Sequence, residues 1–269
     1  MTEDAALDVA VLSDTGTTRD HNEDACGAVR ERRDCAIAAV ADGVSSGAAG
    51  EVASQMAIEV LLREFRDQGA DVPAGQRLYR AVQQANIEIY DRAVAVPELR
   101  GMATTLTAAV VEDGALTAVH VGDSRLYLLR GGVLTQLSKD HTIAAERARF
   151  GLMSKERART HVDRCVLTRS VGRELIVSRD RITQPLAAGD VLLLCSDGLH
   201  GVLDEAELAR LLAAGSADAA CRALVDVANA RGTPDNLSAA VVRVLDVPAE
   251  RAAAGGLGAA MRRILGRPG

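Results

Sequence analysis

The chain has 269 residues, of which 48% are hydrophobic, and a formal net charge of −6 at pH 7. This length and apolar content suit one large domain with a full core. Only 2% of the residues are aromatic and tryptophan is absent, so the sequence offers few rings for base stacking and no excess of cations for phosphate backbones. A nucleic-acid partner is therefore not expected.

The composition also predicts a cytoplasmic protein without a membrane span. The longest apolar runs are well short of the roughly 20 residues that a spanning helix needs, and the N-terminus is acidic where a leader peptide would be basic. Five cysteines are scattered without a Cys-x-x-Cys pair. Because an odd number of scattered cysteines is not typical of a secreted disulfide framework, we expect reduced thiols.

The first half of the chain predicts two strands followed by two amphipathic helices. Residues 7–12 and 36–41 are apolar runs of strand length, the second continuous enough for a buried strand. Between residues 50 and 65 the apolar positions recur at helical spacing, and a second such pattern covers about 76–94. We expect these two helices to be antiparallel neighbours.

The second half predicts an antiparallel meander, an insertion and a second helix pair. Strands are expected over 105–112, 115–121, 125–130 and 133–137, with tight turns at Asp113-Gly114 and Gly131-Gly132. A polar, arginine-rich insertion over 139–164 contains two short helical patterns, 143–150 and 154–159. Strands near 177–182 and 191–196, helices over 204–213 and 217–230, and a last strand over 237–244 follow. Helix pairs alternating with antiparallel strands predict an α+β fold with helices outside the sheets.

Acidic residues recur where these apolar runs end or begin. Asp42 follows one run, Asp123 and Asp197 follow two others, and Asp235 precedes the last strand, while Glu23 and Asp24 form a pair near the N-terminus. Short carboxylates fixed on strand ends can point into one place, where they repel one another unless a cation lies among them. The pattern predicts a site for a hard divalent metal ion.

Seven segments, taken in order, resemble the metal-dependent serine/threonine phosphatases of type 2C, the PPM family. No segment is decisive alone, but their order and spacing over about residues 8–244 are highly specific. The segments are Arg19 to Asp24, Asp42 to Ser54, Gly101 to Thr105, Gly122 to Arg125, Leu167 to Gly172, Ser196 to Leu199 and Gly232 to Ser238.

The resemblance implies a fold and a domain organisation. The fold is an α+β, four-layer α-β-β-α sandwich in which a central antiparallel β-sandwich is flanked by helix pairs. Residues 1–246 would form the catalytic domain of a bacterial member, with a flap at about 140–165 beside the active site. Residues 247–269, rich in Ala, Gly and Arg, are expected to be a flexible tail.

The resemblance also implies a role for each acidic residue. Asp42 would bridge two Mn²⁺ or Mg²⁺ ions. Glu23 and the Gly43 carbonyl would serve one ion, Asp197 and Asp235 the other, and Asp123 with Asp197 would hold a weaker third ion. Asp24 would orient a metal-bound water, and Arg19 would bind the substrate phosphate.

The implied activity is hydrolysis of phosphoserine and phosphothreonine by a metal-activated water, reversing a bacterial Ser/Thr kinase. The expected partners are phosphorylated proteins, including that kinase and its targets, and we expect a monomer. Two alternatives remain: a non-catalytic phosphatase-like module that regulates a partner, and a phosphatase of an anti-sigma-factor antagonist. A complete set of carboxylates favours the enzyme over the non-catalytic module.

Four residues depart from the family pattern. Val44 occupies the place where many eukaryotic relatives have a histidine proposed to protonate the leaving alcohol, so that role is vacant or falls to metal-bound water. Ser45-Ser46 replaces the usual Gly-Gly, which is expected to shift the loop without removing ligands. Cys165, at the end of the flap, replaces a commoner asparagine. The flap itself is expected to be a lid that selects substrates.

Overall fold

The fold is described from a computed structural model, in which residues 6–44, 49–213 and 215–247 are described. Its strands, in chain order, are β1 Leu7–Asp14, β2 Asp24–Arg32, β3 Cys35–Asp42, β4 Leu106–Glu112, β5 Ala115–Val121, β6 Arg125–Arg130, β7 Val133–Gln136, β8 Asp180–Pro185, β9 Val191–Cys195 and β10 Leu237–Val244. Its α-helices are α1 Ala49–Asp67, α2 Ala74–Ala95, α3 Ile143–Arg149, α4 Lys155–Thr160, α5 Asp197–His200, α6 Glu205–Ala213 and α7 Ala217–Ala230, with short 3₁₀ helices at Pro97–Leu99 and Val162–Cys165.

Two five-stranded sheets form the centre of the fold. Their strand orders are β1-β10-β9-β6-β7 and β2-β3-β4-β5-β8, and every neighbouring pair is antiparallel. Apolar side chains between the sheets form one core, which includes Val40, Leu126 and Leu194. The predicted α+β sandwich is confirmed.

A helix pair covers the outer face of each sheet. Helices α1 and α2 bury Leu61 and Leu78 against the β2-β3-β4-β5-β8 sheet. On the other sheet, α6 and α7 bury Leu208 and Leu224. The helical periodicity predicted for α1 and α2 agrees with their buried apolar faces, and the four layers are helix, sheet, sheet and helix. None of the helices in residues 6–44, 49–213 and 215–247 has the length and apolar character that a membrane span requires.

Strand β3 lies in the most enclosed part of the sandwich. Ile37 belongs to the core beneath α1 and α2, whereas Val40 belongs to the core between the sheets. Because successive side chains of a strand point to opposite faces, both faces of β3 are buried. This explains why its sequence is a continuous apolar run rather than an alternating one.

Two strands differ from the sequence-based expectation. Strand β2 was not predicted, because the sequence of Asp24–Arg32 contains polar residues and its pairing with β3 has an irregularity between Arg30 and Arg32. Strand β8 begins and ends three residues later than predicted. It is the edge strand of its sheet and alternates between exposed and half-buried residues, so its apolar signal is weak. Of the predicted tail, residues 248–269 lie outside the described residues.

Candidate metal centre

Five strand termini at one end of the sandwich carry the predicted aspartates. Strand β2 begins at Asp24 and β3 ends at Asp42. Strands β5 and β9 end just before Asp123 and Asp197, and β10 begins just after Asp235. Antiparallel pairing brings these termini together, because the start of one strand lies beside the end of its neighbour.

Asp24 and Asp42 lie directly opposite each other in the β2–β3 pair. The Ser196 hydroxyl donates to Asp24 Oδ2 over 2.6 Å, which fixes the Asp24 carboxylate inside the sandwich. The backbone of Asp42 is held from the other side: its N–H donates to Thr105 Oγ1 over 2.9 Å, and its carbonyl accepts from Thr104 Oγ1 over 2.9 Å. Neither aspartate is on a loop that could move independently of the sheet.

Asp123 follows a turn that only glycine can form without strain. Gly122 has φ of +108°, and a Cβ at this position would lie 2.6 Å from Thr105 Cβ. The Asp123 carbonyl accepts a hydrogen bond of 3.1 Å from His200 Nε2, so this nitrogen carries the proton of the imidazole. Asp123 is buried, with 8% of its surface exposed.

Asp197 begins the short helix α5, and its side chain lies close to that of Asp42. Its neighbour Gly198 lies against the start of β10, where a Cβ would be only 2.0 Å from the Asn236 carbonyl oxygen. This close approach brings the strand-end residues Asp197 and Asp235 together from β9 and β10.

Arg19 is bound to Asp235 in this structure. Arg19 Nη2 donates to Asp235 Oδ2 over 2.9 Å and Arg19 Nε donates to the Pro234 carbonyl over 3.1 Å. About half of the Arg19 side chain is exposed. The residue expected to bind a phosphate therefore lies at the carboxylate cluster, with two of its guanidinium nitrogens directed to the 234–235 loop.

Glu23 lies at the edge of the cluster. Its carbonyl accepts from the Gly43 N–H over 3.0 Å, so the two predicted ligands of one ion are adjacent. Its side chain extends toward α1, where Glu51 is a second acidic neighbour that the sequence analysis did not identify as a site residue. Glu23 Oε1 is 2.9 Å from where a Gly50 Cβ would lie.

Four of the aspartates share an unfavourable electrostatic environment. Burial, and then Asp24, Asp197, Asp123 and Asp235, hold the pKa of Asp42 well above its usual range. Burial followed by Asp197 does the same for the pKa of Asp123. Burial raises the pKa of Asp24 to about 7 against the opposing hydrogen bond from Ser196, and burial with Asp235 raises the pKa of Asp197 to about 6. Burial also raises the pKa of Glu23, although Arg19 opposes the shift.

These carboxylates fit a hard divalent cation by their chemistry. All the donors are oxygens, and mutual repulsion of buried carboxylates is relieved when a cation lies among them. In the described residues, no three His, Cys, Asp or Glu side chains are already grouped so that they could hold a metal ion. Two of the predicted residues are instead directed to protein partners, Asp235 to Arg19 and Asp24 to Ser196.

Two polar residues without a predicted role connect the site. Ser196 donates to Asp24 and accepts from the Ser238 N–H over 2.9 Å, which joins β2 to β9 and β10. The side chain of Asn236 accepts from the Glu23 N–H and donates to the carbonyls of Thr15 and His21, at 2.8 to 2.9 Å. Both residues were part of the recognised segments, but their partners are distant in sequence and could not be predicted.

Replacing Asn236 by Asp is expected to lower the free energy of unfolding by about 1 to 3 kcal/mol. The new side chain keeps the volume but loses the donor to Thr15 O and His21 O, leaving both carbonyls facing a carboxylate. Urea unfolding monitored by circular dichroism would measure the change. The matched control is Asn22→Asp, at a residue that donates one hydrogen bond to Ser13 Oγ over 2.9 Å and should therefore lose less stability. Equal losses would contradict the connecting role of Asn236.

Two departures from the family pattern, Val44 and Cys165, lie among the described residues. Val44 is 36% exposed, and its N–H donates to the Ala103 carbonyl over 2.8 Å. Ser45 and Ser46 lie outside the described residues. In the flap, α3 and α4 confirm the two predicted short helices to within a residue at each end. Cys165 is exposed at the end of the flap, and all five cysteines are free thiols.

Comparison with known proteins identifies the family. Residues 17–246 match the family model described as protein phosphatase 2C. The chain is 36% identical over 234 residues to the serine/threonine phosphatase Stp of Listeria innocua, covering 86% of this chain and 93% of that protein. It is 40% identical over 243 residues to the serine/threonine protein phosphatase PstP of Mycobacterium tuberculosis, covering 89% of this chain but 45% of that longer protein.

Solved structures agree in fold. The crystal structure of the Mycobacterium tuberculosis phosphatase PstP superposes with a TM-score of 0.80 at 35% identity, covering 89% of this chain and 99% of that one. A second structure, of the PstP catalytic domain in complex with two manganese ions, gives a TM-score of 0.78 at 35% identity with the same coverage. The chain therefore belongs to the protein phosphatase 2C family of metal-dependent serine/threonine phosphatases.

Proposed function

We propose that this chain hydrolyses phosphoserine and phosphothreonine in proteins, with Mn²⁺ or Mg²⁺ bound among the strand-end carboxylates. The observation that supports the proposal most strongly is the convergence of Asp24, Asp42, Asp123 and Asp197 at one end of the sandwich, where burial and repulsion raise their pKa values. Such a cluster is costly to fold without a cation, which argues for a functional rather than a structural role.

We propose the ligand roles that the family resemblance implies. Asp42, which is central to the cluster, would be shared by two ions. Glu23 and the Gly43 carbonyl would hold one ion, and Asp197 with Asp235 would hold the other. Among the carboxylates, Asp197 has the largest effect on the pKa of Asp123. Asp123 and Asp197 together would hold a third and weaker ion.

When bound, the divalent ions would neutralise this charge, polarise the phosphoryl oxygens and lower the pKa of a coordinated water. The protein residues position the reactants. Asp24, fixed by Ser196, would orient the attacking water by a hydrogen bond. Arg19 would bind the phosphate through its planar guanidinium, exchanging one carboxylate partner for another anion. Val44 has no proton to give to the leaving alkoxide.

The direct test is hydrolysis of p-nitrophenyl phosphate and of a phosphothreonine peptide, each with and without Mn²⁺. We expect activity only with the metal, and we expect Arg19→Ala to lower kcat/KM by roughly 10-fold to 100-fold, since a charge-assisted hydrogen bond to phosphate contributes about 1.5 to 3 kcal/mol. Arg80→Ala, at an exposed position of α2, is the matched control and should retain wild-type rates. An inactive wild type at saturating Mn²⁺ would contradict the proposed enzyme and favour a non-catalytic module.

We further propose that the chain acts as a cytoplasmic monomer that opposes a bacterial Ser/Thr kinase. Its five free thiols support a reducing compartment. The catalytic domain would comprise residues 1–246, in keeping with the family match that ends at residue 246, and residues 247–269 would be a tail. The flap over about 140–165 would act as a substrate-selecting lid.

A further inference from the structure

The flap borders the carboxylate site on two sides. At its base, the His141 N–H donates to the Gly122 carbonyl over 2.8 Å, directly before Asp123, and the chain returns there because the Thr168 N–H donates to the His141 carbonyl over 2.8 Å. On the other side, Arg159 Nη2 in α4 lies 3.6 Å from Glu205, at the start of α6. A peptide bound at the aspartates would therefore have the flap beside it.

The charge of the flap is opposite to that of the whole chain. Six cations lie in the flap, and only three carboxylates accompany them once Asp140, which binds Arg125 outside the flap at 2.7 Å, is set aside. The cations are Arg147, Arg149, Lys155, Arg157, Arg159 and Arg164, and the carboxylates are Glu146, Glu156 and Asp163. The flap is thus a basic strip on a chain whose net charge is −6.

Four of these six cations form no salt bridge with a carboxylate of the described residues. Arg147 binds Asp163 at 2.8 Å, and Arg159 reaches Glu205. Arg149 lies over the ring of Phe150, 4.9 Å from its centroid. In contrast, Lys155, Arg157 and Arg164 are exposed and form no salt bridge with any other described residue.

Exposed apolar side chains accompany the free cations. Phe150, Leu152 and Val162 are 68%, 75% and 83% exposed. Solvated cations alone are ordinary on a protein surface, but large apolar side chains left this exposed next to them are typical of a binding surface. Arg164 also lies near the centre itself, because Cys165 beside it is within electrostatic reach of Asp197, Asp123 and Asp235.

From this arrangement we propose that the flap recognises acidic residues flanking the phosphorylated side chain, so that the preferred substrates carry Asp or Glu, with apolar residues, around the phosphosite. The inference rests on the proposed phosphatase function and adds the substrate class. Attraction between acidic flanks and the free cations Lys155, Arg157 and Arg164 stabilises the encounter, whereas basic flanks are repelled. A peptide fits better than a lipid surface, because the strip adjoins a site for one phosphate group.

The test compares three phosphothreonine peptides of equal length whose flanking residues are Asp, Gln or Lys. Exposed charge pairs contribute about 0.2 to 1 kcal/mol each, so the wild type should favour the Asp peptide over the Lys peptide by roughly fivefold to twentyfold in kcat/KM. This ratio should shrink in 0.5 M salt, because added ions screen exposed charges. Using a ratio makes the result independent of any general loss of activity.

Two arginine-to-glutamate substitutions at exposed helical positions provide the variant and its control. Arg157→Glu in the flap should reduce the Asp-to-Lys ratio by about threefold or more. Arg80→Glu makes the same charge change on α2. The start of this helix contacts Glu112, at the end of β4 that is remote from the aspartates, so this variant should leave the ratio unchanged. An equal ratio for wild type and Arg157→Glu, or a wild type with no preference, would overturn the proposal.

Two further measurements separate this proposal from its alternatives. Anisotropy titrations of the same labelled peptides in EDTA report the effect of Arg157→Glu on binding without chemistry. If p-nitrophenyl phosphate were not hydrolysed with Mn²⁺, but wild type still bound the Asp peptide more tightly than the Lys peptide and Arg157→Glu did not, the proposed activity would fail and the preference of the flap for acidic flanks would stand. Cosedimentation with phosphatidylserine vesicles that depends on Arg157, together with flat peptide ratios, would instead identify a membrane surface as the ligand.

Discussion

Asp42→Asn is expected to abolish Mn²⁺-dependent hydrolysis and, at the same time, to raise the thermal stability of the metal-free protein. The loss of activity follows from the proposed sharing of Asp42 by two ions, and we expect a fall in kcat of roughly 1,000-fold or more, about 4 kcal/mol of transition-state stabilisation. The gain in stability follows from its pKa, which burial and four neighbouring aspartates raise well above the usual range.

The sign of the stability effect can be derived from this pKa. A carboxyl group whose pKa is higher in the folded state binds its proton more tightly there, so its ionisation at pH 7 favours the unfolded chain. Asparagine has no charge to lose. We therefore expect the melting temperature in EDTA to rise by about 3 °C or more at pH 7. Little gain is expected at pH 4, where the folded Asp42 carboxyl is protonated and the unfolded one, with a pKa of about 3.9, is only about half ionised. Scanning calorimetry of both proteins at the two pH values would measure it.

Asp140→Asn is the matched control, because the same substitution should there have the opposite sign. Asp140 is also largely buried, yet Arg125 binds it at 2.7 Å and its pKa lies below the usual range, since the effects of Arg125 outweigh burial. The asparagine variant should lose about 1 to 3 kcal/mol at pH 7. A lower melting temperature for metal-free Asp42→Asn, or Mn²⁺-dependent activity close to wild type, would contradict the proposed role of Asp42.

The second large effect is expected for Gly198→Ala, which should lower the free energy of unfolding by about 3 to 5 kcal/mol. A Cβ at this position would lie 2.0 Å from the Asn236 carbonyl oxygen and 3.3 Å from Asp235 Cβ. The obstacle is backbone rather than a flexible side chain, so the 235–236 segment must move away from α5. We also expect that Mn²⁺ will not raise the melting temperature of this variant as it does that of the wild type, because the movement separates Asp235 from Asp197.

Gly131→Ala is the control that separates the steric clash of an added Cβ from backbone strain. Gly131 has φ of +56° in the β6–β7 turn, and a Cβ added there would have no described atom within 4 Å beyond its chain neighbours. Its substitution should cost only about 1 to 2 kcal/mol, the penalty of a left-handed backbone, and should leave the Mn²⁺ response intact. Guanidinium unfolding of both variants, with and without Mn²⁺, distinguishes the two cases. Equal losses would mean that the strand contact at Gly198 is not important.

The parts of the molecule that could be predicted are those governed by local periodicity. Helices α1 and α2 were predicted from apolar spacing, and β3 from a continuous apolar run. Asp42, Asp123, Asp197 and Asp235 were identified because each adjoins such a run. Their exact ligand roles came from the family resemblance and remain predictions.

Long-range pairing accounts for what could not be predicted. Strand β2 has a weak apolar signal and exists through its register with β3, which places Asp24 opposite Asp42. The hydrogen bonds from Ser196 to Asp24 and from Glu23 to Asn236 join residues more than 170 positions apart, so no local pattern contains them. The pairing of Arg19 with Asp235 depends in the same way on a distance that only the fold determines.

The enclosure of β3 has a consequence for how ions could enter and leave. Its backbone amides can exchange with solvent only when the sandwich opens as a whole, because both faces of β3 are buried and both edges are paired. Residues 15–23, tied to β10 by the Asn236 side chain, can open at a smaller free-energy cost. Hydrogen exchange should therefore be slow at Asp42 and faster at Glu23, so that the centre opens from its loop side while Asp42 stays in place.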